Sequence, residues 1–206
     1  MKRMFWLLLI TLALPVGAFA NSIGFTNSTG TLSGSSAGLS LTGSTLIAIS
    51  GPSSTLTGDL GSVTFSTGML TSGSLQMGGT FAAGGTFVIT GNGTGGIPNG
   101  VIFNGSFSGP LTWSLITLAN GTHEYTLLGA LTGTWFTGQS VNGATIQLTI
   151  NTGKGFFNGS TTIASGDTDI SGSGLRTVTT PEPASLTLFG TGLVALAGML
   201  RRQLKR

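Results

Sequence analysis

LTWSLITLANGTHEYTLLGAL, residues 111–131, decides the fold. Leu111, Trp113 and Leu115 alternate with Thr112 and Ser114, the two-residue period of a half-buried strand. Asn120-Gly121 follows, a dipeptide suited to the left-handed backbone of a tight hairpin turn, and apolar residues resume beyond it. A two-residue loop at Asn120-Gly121 places Ala119 opposite Thr122, Leu118 opposite His123, Ile116 opposite Tyr125 and Trp113 opposite Leu128. The stretch WFTGQSVNGATIQLTI, from Trp135 to Ile150, reads in the same way. With Asn142-Gly143 as its loop, Gln139 faces Ile146 and Trp135 faces Ile150. Asn-Gly also occurs at Asn92, Asn99, Asn104 and Asn158, and Val63 and Phe65 alternate in the same manner. No stretch of the middle shows a sustained helical period. The expected body is all-β, a Gly/Ser/Thr-rich antiparallel sandwich or barrel with Asn-Gly hairpins.

Side-chain volume is uneven along this body. From about Thr86 to Ile150 the strands carry Trp113, Tyr125, Trp135 and Phe136, enough for a core. From Asn21 to about Gly85 the chain is Gly, Ser and Thr with scattered Leu, open to an irregular sheet, a stacked repeat or a partly loose arrangement. Gly-Thr-Phe and Leu-Thr-Gly recur at unequal intervals, so no regular solenoid is expected. Residues 165–180, polar and small, read as a linker, and the body as residues 21–164.

Charged residues make up 6% of the 206-residue chain, against about 25% in ordinary globular proteins. Six of the eight basic residues lie at the two ends. Between Asn21 and Thr180, Lys154 and Arg176 stand against Asp59, Glu124, Asp167 and Asp169, a net charge of 2 − 4 = −2. Nucleic-acid binding needs clustered Lys and Arg, so no nucleic-acid partner is expected. There is no Cys and one histidine, His123, which removes thiol chemistry and the usual transition-metal ligand sets. His123 reads as a surface or cross-strand residue. Asp167-Thr-Asp169 reads as part of the solvated linker, with weak Ca²⁺ binding as the competing use. GNGTGG, from Gly91 to Gly96, lacks the Lys-Ser/Thr and helix of a phosphate loop and reads as a plain loop. The glycosylation-type triplets at Asn27, Asn92, Asn104, Asn120 and Asn158 follow mostly from turn chemistry in a Thr-rich chain. No cofactor is expected, and no catalytic cluster.

The ends carry addresses. MKRMFWLLLITLALPVGAFA has a positive start at Lys2 and Arg3, an apolar run from Met4 to Leu14, the breaker Pro15, and small residues at Ala18 and Ala20. This is the three-part pattern of a secretory signal helix, to be cut by signal peptidase between Ala20 and Asn21. At the other end, Pro181-Glu182-Pro183 precedes a largely apolar run, residues 186–200, and then Arg201, Arg202, Lys205 and Arg206. As a helix that run spans about 22 Å. A bilayer core is about 30 Å thick, so the span is short, with snorkelling arginines making up part of the rest. The basic cluster stops transfer and holds this end in the cytoplasm by the positive-inside rule, leaving the body outside the inner membrane. The two prolines keep the preceding tripeptide extended and accessible.

Proline-framed motif, short span and basic end, in that order, resemble the PEP-CTERM sorting signal over residues 181–206. The resemblance implies recognition by an exosortase, an integral membrane enzyme that removes the tail near Pro181, Glu182 and Pro183. It also implies a Gram-negative host that makes exopolysaccharide, a possible partner, and a final place at the cell surface or outside the cell. The same tail is found on proteins labelled ice-binding. It supplies an address and no activity. The expected function is therefore a non-enzymatic surface or extracellular-matrix protein. A polysaccharide- or ice-binding module, using Trp113, Trp135 or Tyr125, is the alternative, and an exported hydrolase a third class. N-terminal sequencing of exported protein should read from Asn21; exported chain that still begins at Met1 would overturn the signal assignment.

Overall fold

In the computed structural model the residues described are 22–51, 54–163 and 165–171. The signal segment, the motif at Pro181, Glu182 and Pro183, the expected span and the basic end all lie outside them. The described chain forms thirteen strands: β1 (Ser22–Ser28), β2 (Thr31–Ser35), β3 (Gly38–Ser50), β4 (Thr55–Ser66), β5 (Leu70–Ser74), β6 (Gly78–Phe81), β7 (Gly84–Asn92), β8 (Asn99–Phe107), β9 (Leu111–Thr117), β10 (His123–Trp135), β11 (Ser140–Gly153), β12 (Ser160–Thr162) and β13 (Ser165–Ser171). A single 3-10 turn, Thr94–Gly96, joins β7 to β8. No helix among the described residues is long and apolar enough to cross a membrane.

Eight strands close into an antiparallel barrel, in the order β1, β3, β4, β7, β8, β10, β11, β13 and back to β1. The long strands β3 and β10 each serve two purposes. The second half of β3 pairs β1 within the barrel, while its first half pairs β2, which in turn pairs β12. The end of β10 pairs β8 within the barrel, while its beginning pairs β9, which leads out through β6 to β5.

An eight-stranded barrel is about wide enough for side chains to fill. Phenylalanines and aliphatic side chains fill it together here. Phe87 lies within 6.2 Å of Phe65, Phe103 and Phe107, centroid to centroid, and Phe25 packs on Trp135 at 5.7 Å. A second cluster sits where β9 and the start of β10 carry their rings. Trp113 stacks on Tyr125 at 5.0 Å, with Phe157 edge-on to Trp113 at 5.6 Å. Polar atoms of this cluster are satisfied by backbone. Trp113 Nε1 donates to the Leu75 carbonyl, and Tyr125 Oη donates to the Gln76 carbonyl while accepting from the Phe157 N–H.

The hairpin at Asn120-Gly121 forms, but one residue out of the expected register. Leu118 N–H donates to the Thr122 carbonyl and Gly121 N–H to the Leu118 carbonyl, so the loop has three residues, Ala119 to Gly121. This is a type I turn closed by a left-handed Gly121, φ 76°. Trp113 consequently faces Leu127, and Tyr125 faces Leu115. The physical reason is parity: a one-residue slip turns a whole strand over, and only the even register puts Trp113, Tyr125 and Leu127 inside together.

The second expected hairpin is corrected outright. The loop falls at Phe136 to Gly138, with Trp135 N–H bonded to the Gln139 carbonyl and Gly138 at φ 83°. Asn142 and Gly143 instead form a bulge inside β11, two residues facing Thr132 alone. Asn104-Gly105 likewise lies within a strand, β8. The expected linker is corrected as well. Its first part, Ser165–Ser171, is β13, paired to β11 on one side and β1 on the other. The Gly/Ser/Thr-rich first half is no loose region either. It supplies the long strands β3 and β4, which bury Leu39, Leu41, Leu46, Val63 and Phe65.

Gly105 and Gly133 face each other across β8 and β10. A Cβ at Gly133 would stand 2.4 Å from the Asn104 carbonyl oxygen and 2.7 Å from the Phe103 ring, which lies across the glycine pair. The ring fills the space two side chains would otherwise take. Gly133→Val should therefore cost about 3 kcal/mol, the upper range for overpacking, because backbone rather than a flexible tip is in the way. Gly109→Ala, with nothing near its Cβ position, should be close to neutral. Denaturant unfolding of the two variants checks the contrast.

Candidate functional site

The barrel closes through β1 and β13, and its outer surface there holds a shallow depression of about 380 Å³. Strand alternation builds it. On β13, Asp167 and Asp169 point outward while Gly166, Thr168 and Ile170 are buried. Thr26 of β1 and Gln147 of β11 flank Asp167, and Gly24 and Thr145 flank Asp169. Thr26 Oγ1 donates to Asp167 Oδ1 at 2.8 Å. Gly24 forms part of the floor: a Cβ there would lie 3.6 Å from Asp169 Oδ1 and 3.8 Å from Ser50 Cβ. Leu128, exposed on β10, completes one wall.

Two carboxylates, an amide and several hydroxyls around this depression can exchange hydrogen bonds with hydroxylated ligands. As a cation site the set is thin, since Ca²⁺ takes six to eight oxygens and only two carboxylates converge. Among the described residues no three His, Cys, Asp or Glu side chains group as a metal site would require. Reading Asp167 and Asp169 as solvated linker residues hid this face. The alternation Asp-Thr-Asp-Ile carried a faint strand signal, masked by the Gly and Ser around it.

The rings considered for sugar stacking are interior. Trp113 is 1% exposed, Tyr125 0% and Trp135 7%. His123 lies at the start of β10 opposite Thr117 and Gly153, as a cross-strand residue should. Its Nδ1 is 3.2 Å from the Gly155 carbonyl oxygen, and its ring stacks on Phe156 at 4.4 Å. Asn27, one of the glycosylation-type asparagines, is buried and bonded to Ser44. Outward hydroxyls line up across strands: Ser160, Ser33, Ser40, Ser66 and Thr86 are successive partners from β12 to β7.

The family comparison falls on the tail. Residues 179–202 match the PEP-CTERM protein-sorting motif. The match covers Pro181, Glu182, Pro183, the apolar run, Arg201 and Arg202; Lys205 and Arg206 follow it. This motif marks an exported chain with a membrane-held stage, processed by an exosortase-type membrane enzyme. No curated protein and no solved structure matches the chain.

Because the Trp113 ring stacks on Tyr125 and bonds the Leu75 carbonyl, its loss is a core deletion. Trp113→Ala should lower stability by about 3–5 kcal/mol, measured by denaturant unfolding. A variant as stable as the parent would return the ring to the surface.

Proposed function

We propose that the chain is a non-enzymatic surface or extracellular-matrix protein delivered through its PEP-CTERM tail. The observation that carries this reading is the motif at residues 179–202. In the proposed sequence of events the secretion machinery exports the chain and signal peptidase cuts between Ala20 and Asn21. Residues 186–200 then hold it in the inner membrane, with Arg201, Arg202, Lys205 and Arg206 in the cytoplasm. The exosortase-type enzyme acts near Pro181-Glu182-Pro183 and releases or transfers the body. A cut at that motif falls beyond Ser171, so the body keeps all of its described strands. A non-enzymatic role is supported by a barrel interior filled with phenylalanine and aliphatic side chains and an outer surface of serine and threonine.

The alternative, a polysaccharide- or ice-binding module, draws support from the hydroxyl-lined depression over β1, β13 and β11 and from the row of hydroxyls across β12 to β7. Such a module would not work through stacked rings, since Trp113, Tyr125 and Trp135 are committed to the core.

Two sets of changes separate the roles of the tail. Replacing Pro181, Glu182 and Pro183 with Ala should leave membrane insertion intact and abolish processing, so that full-length protein accumulates in the membrane. Replacing Arg201, Arg202, Lys205 and Arg206 with neutral residues should weaken the stop and give mixed topology. Mass spectrometry of the C-terminus of surface material reads the first outcome and protease accessibility the second. Surface protein that still ends at Arg206 would make the tail a plain anchor.

A further inference from the structure

The closure of the barrel is also the place where its interior is polar. Inward positions of β1 and β13 are Ile23, Phe25, Asn27, Gly166, Thr168 and Ile170, and of their three large apolar side chains Phe25 and Ile170 are buried while Ile23 is only half-buried. Of the four buried polar residues, Asn27, Ser44 and Thr168 lie on β1, β3 and β13. Asn27 spends its amide on Ser44 Oγ. Thr168 Oγ1, at 1% residue exposure, has no hydrogen-bond partner. Gly166 faces Asn27 so closely that a Cβ would stand 2.5 Å from its Oδ1. By contrast β7 and β8 turn Phe87, Ile89, Phe103 and Phe107 inward. Among the eight barrel strands β1 and β13 bury the fewest apolar side chains, Phe25 and Ile170, and local opening begins where apolar burial is least, so β13 is the barrel strand that leaves first.

We propose that the β1–β13 seam opens, and that β13 of a second copy of this chain takes the vacated place. The contacts that hold β13 are mostly main-chain bonds to β1 and β11, which an identical strand satisfies equally well. Register is set by features a second copy also carries. Thr26 bonds Asp167 on the outer face, and Gly166 is the residue that fits beside Asn27 on the inner one. Outward Asp167 and Asp169 keep a detached strand soluble and discourage pairing with unrelated edges. β13 is the last strand described before the tail, so its exchange leaves every other pairing untouched. The partner is thus another copy of the chain, and the product is a strand-exchanged assembly. This property belongs to the body and stands or falls separately from processing of the tail.

The test uses the absence of cysteine from the chain. Gly24 and Asp169 are register partners on the outer face. The full chain is co-expressed as two single variants, G24C and D169C, and exported material is run without reducing agent. Neither variant can form this bond within one copy. Exchange predicts a dimer whose linked peptides join position 24 of one copy to position 169 of the other. A control pair, T64C with V88C, sits on adjacent outer positions of β4 and β7, away from the seam, and should give at least tenfold less linked dimer. Absence of the seam dimer, or equal linkage of both pairs, overturns the proposal. Should the variants fold poorly, hydrogen exchange of the unmodified full chain decides: seam amides of β1 and β13 should exchange at least tenfold faster than those of β7 and β8. Equal protection of all four strands rules out a preferential opening.

Discussion

The body depends on one pairing, the antiparallel contact between its first strand and its last. Ser22 lies opposite Ser171, and the ladder continues to Asn27 opposite Gly166. Without it the sheet is an open ribbon with bare edges on β1 and β13, a hazard that closure removes. The contact also joins residues at nearly opposite ends of the described chain, so it is costly in loop closure and is formed only when the whole body is present. Local hairpins such as β9–β10 and β10–β11 can form earlier and present the long strands against which the rest of the ring assembles. The polar interior of the seam then has a kinetic meaning as well as a thermodynamic one. The strand that arrives last brings little apolar surface, so closure is reversible while the phenylalanine cluster around Phe87 holds the remainder together.

The strand content and the antiparallel class were legible because alternation in Leu111 to Leu115 and Ile146 to Ile150 leaves no other period open. Register was not read correctly, although the information was present. Trp113, Tyr125 and Leu127 all need the inside, and that parity excludes a two-residue loop at Asn120-Gly121. Asn142-Gly143 misled for a different reason. A dipeptide that tolerates positive φ serves a bulge as well as a turn, and the true turn at Gly138 lacks the asparagine. β13 escaped because its sequence, SGDTDIS, offers one large apolar residue. Only pairing on both edges makes it a strand, and pairing between the ends of a chain has no local signature. The tail motif was fully legible, since it is a continuous stretch of sequence, residues 179–202. The depression around Asp167 and Asp169 was not, because five strands far apart in sequence assemble it.

The odd composition follows from the same architecture. An eight-stranded barrel is about wide enough for side chains to fill, and Phe25, Phe65, Phe87, Phe103 and Phe107 pack it together with aliphatic residues such as Leu46, Val63, Ile89 and Leu148. The outer face is then relieved of any packing duty, and short hydroxyl side chains satisfy it. Ser66 and Thr86, neighbours across β4 and β7, bond to each other through their hydroxyls at 3.0 Å. Glycine enters where backbones bend or rings lie across the sheet, as Phe103 does over Gly105 and Gly133. Low charge is therefore compatible with a well-packed core, and the sequence looks loose only when volume is averaged along the chain instead of across the sheet.

That separation of duties explains how one chain carries an address and a body with little interference between them. The sorting motif is a continuous stretch of sequence, residues 179–202, and none of its residues belongs to a described strand. The barrel in turn draws on residues 22–171 for every strand described, and its last strand ends before the motif begins at Pro181. Removal of the motif takes away none of the pairings between the described strands. Selection on the tail is then selection on charge and span, and selection on the body acts through parity, ring packing and the seam. A change in either leaves the physical requirements of the other unaltered, which is the condition under which the same sorting tail can be carried by otherwise unrelated bodies.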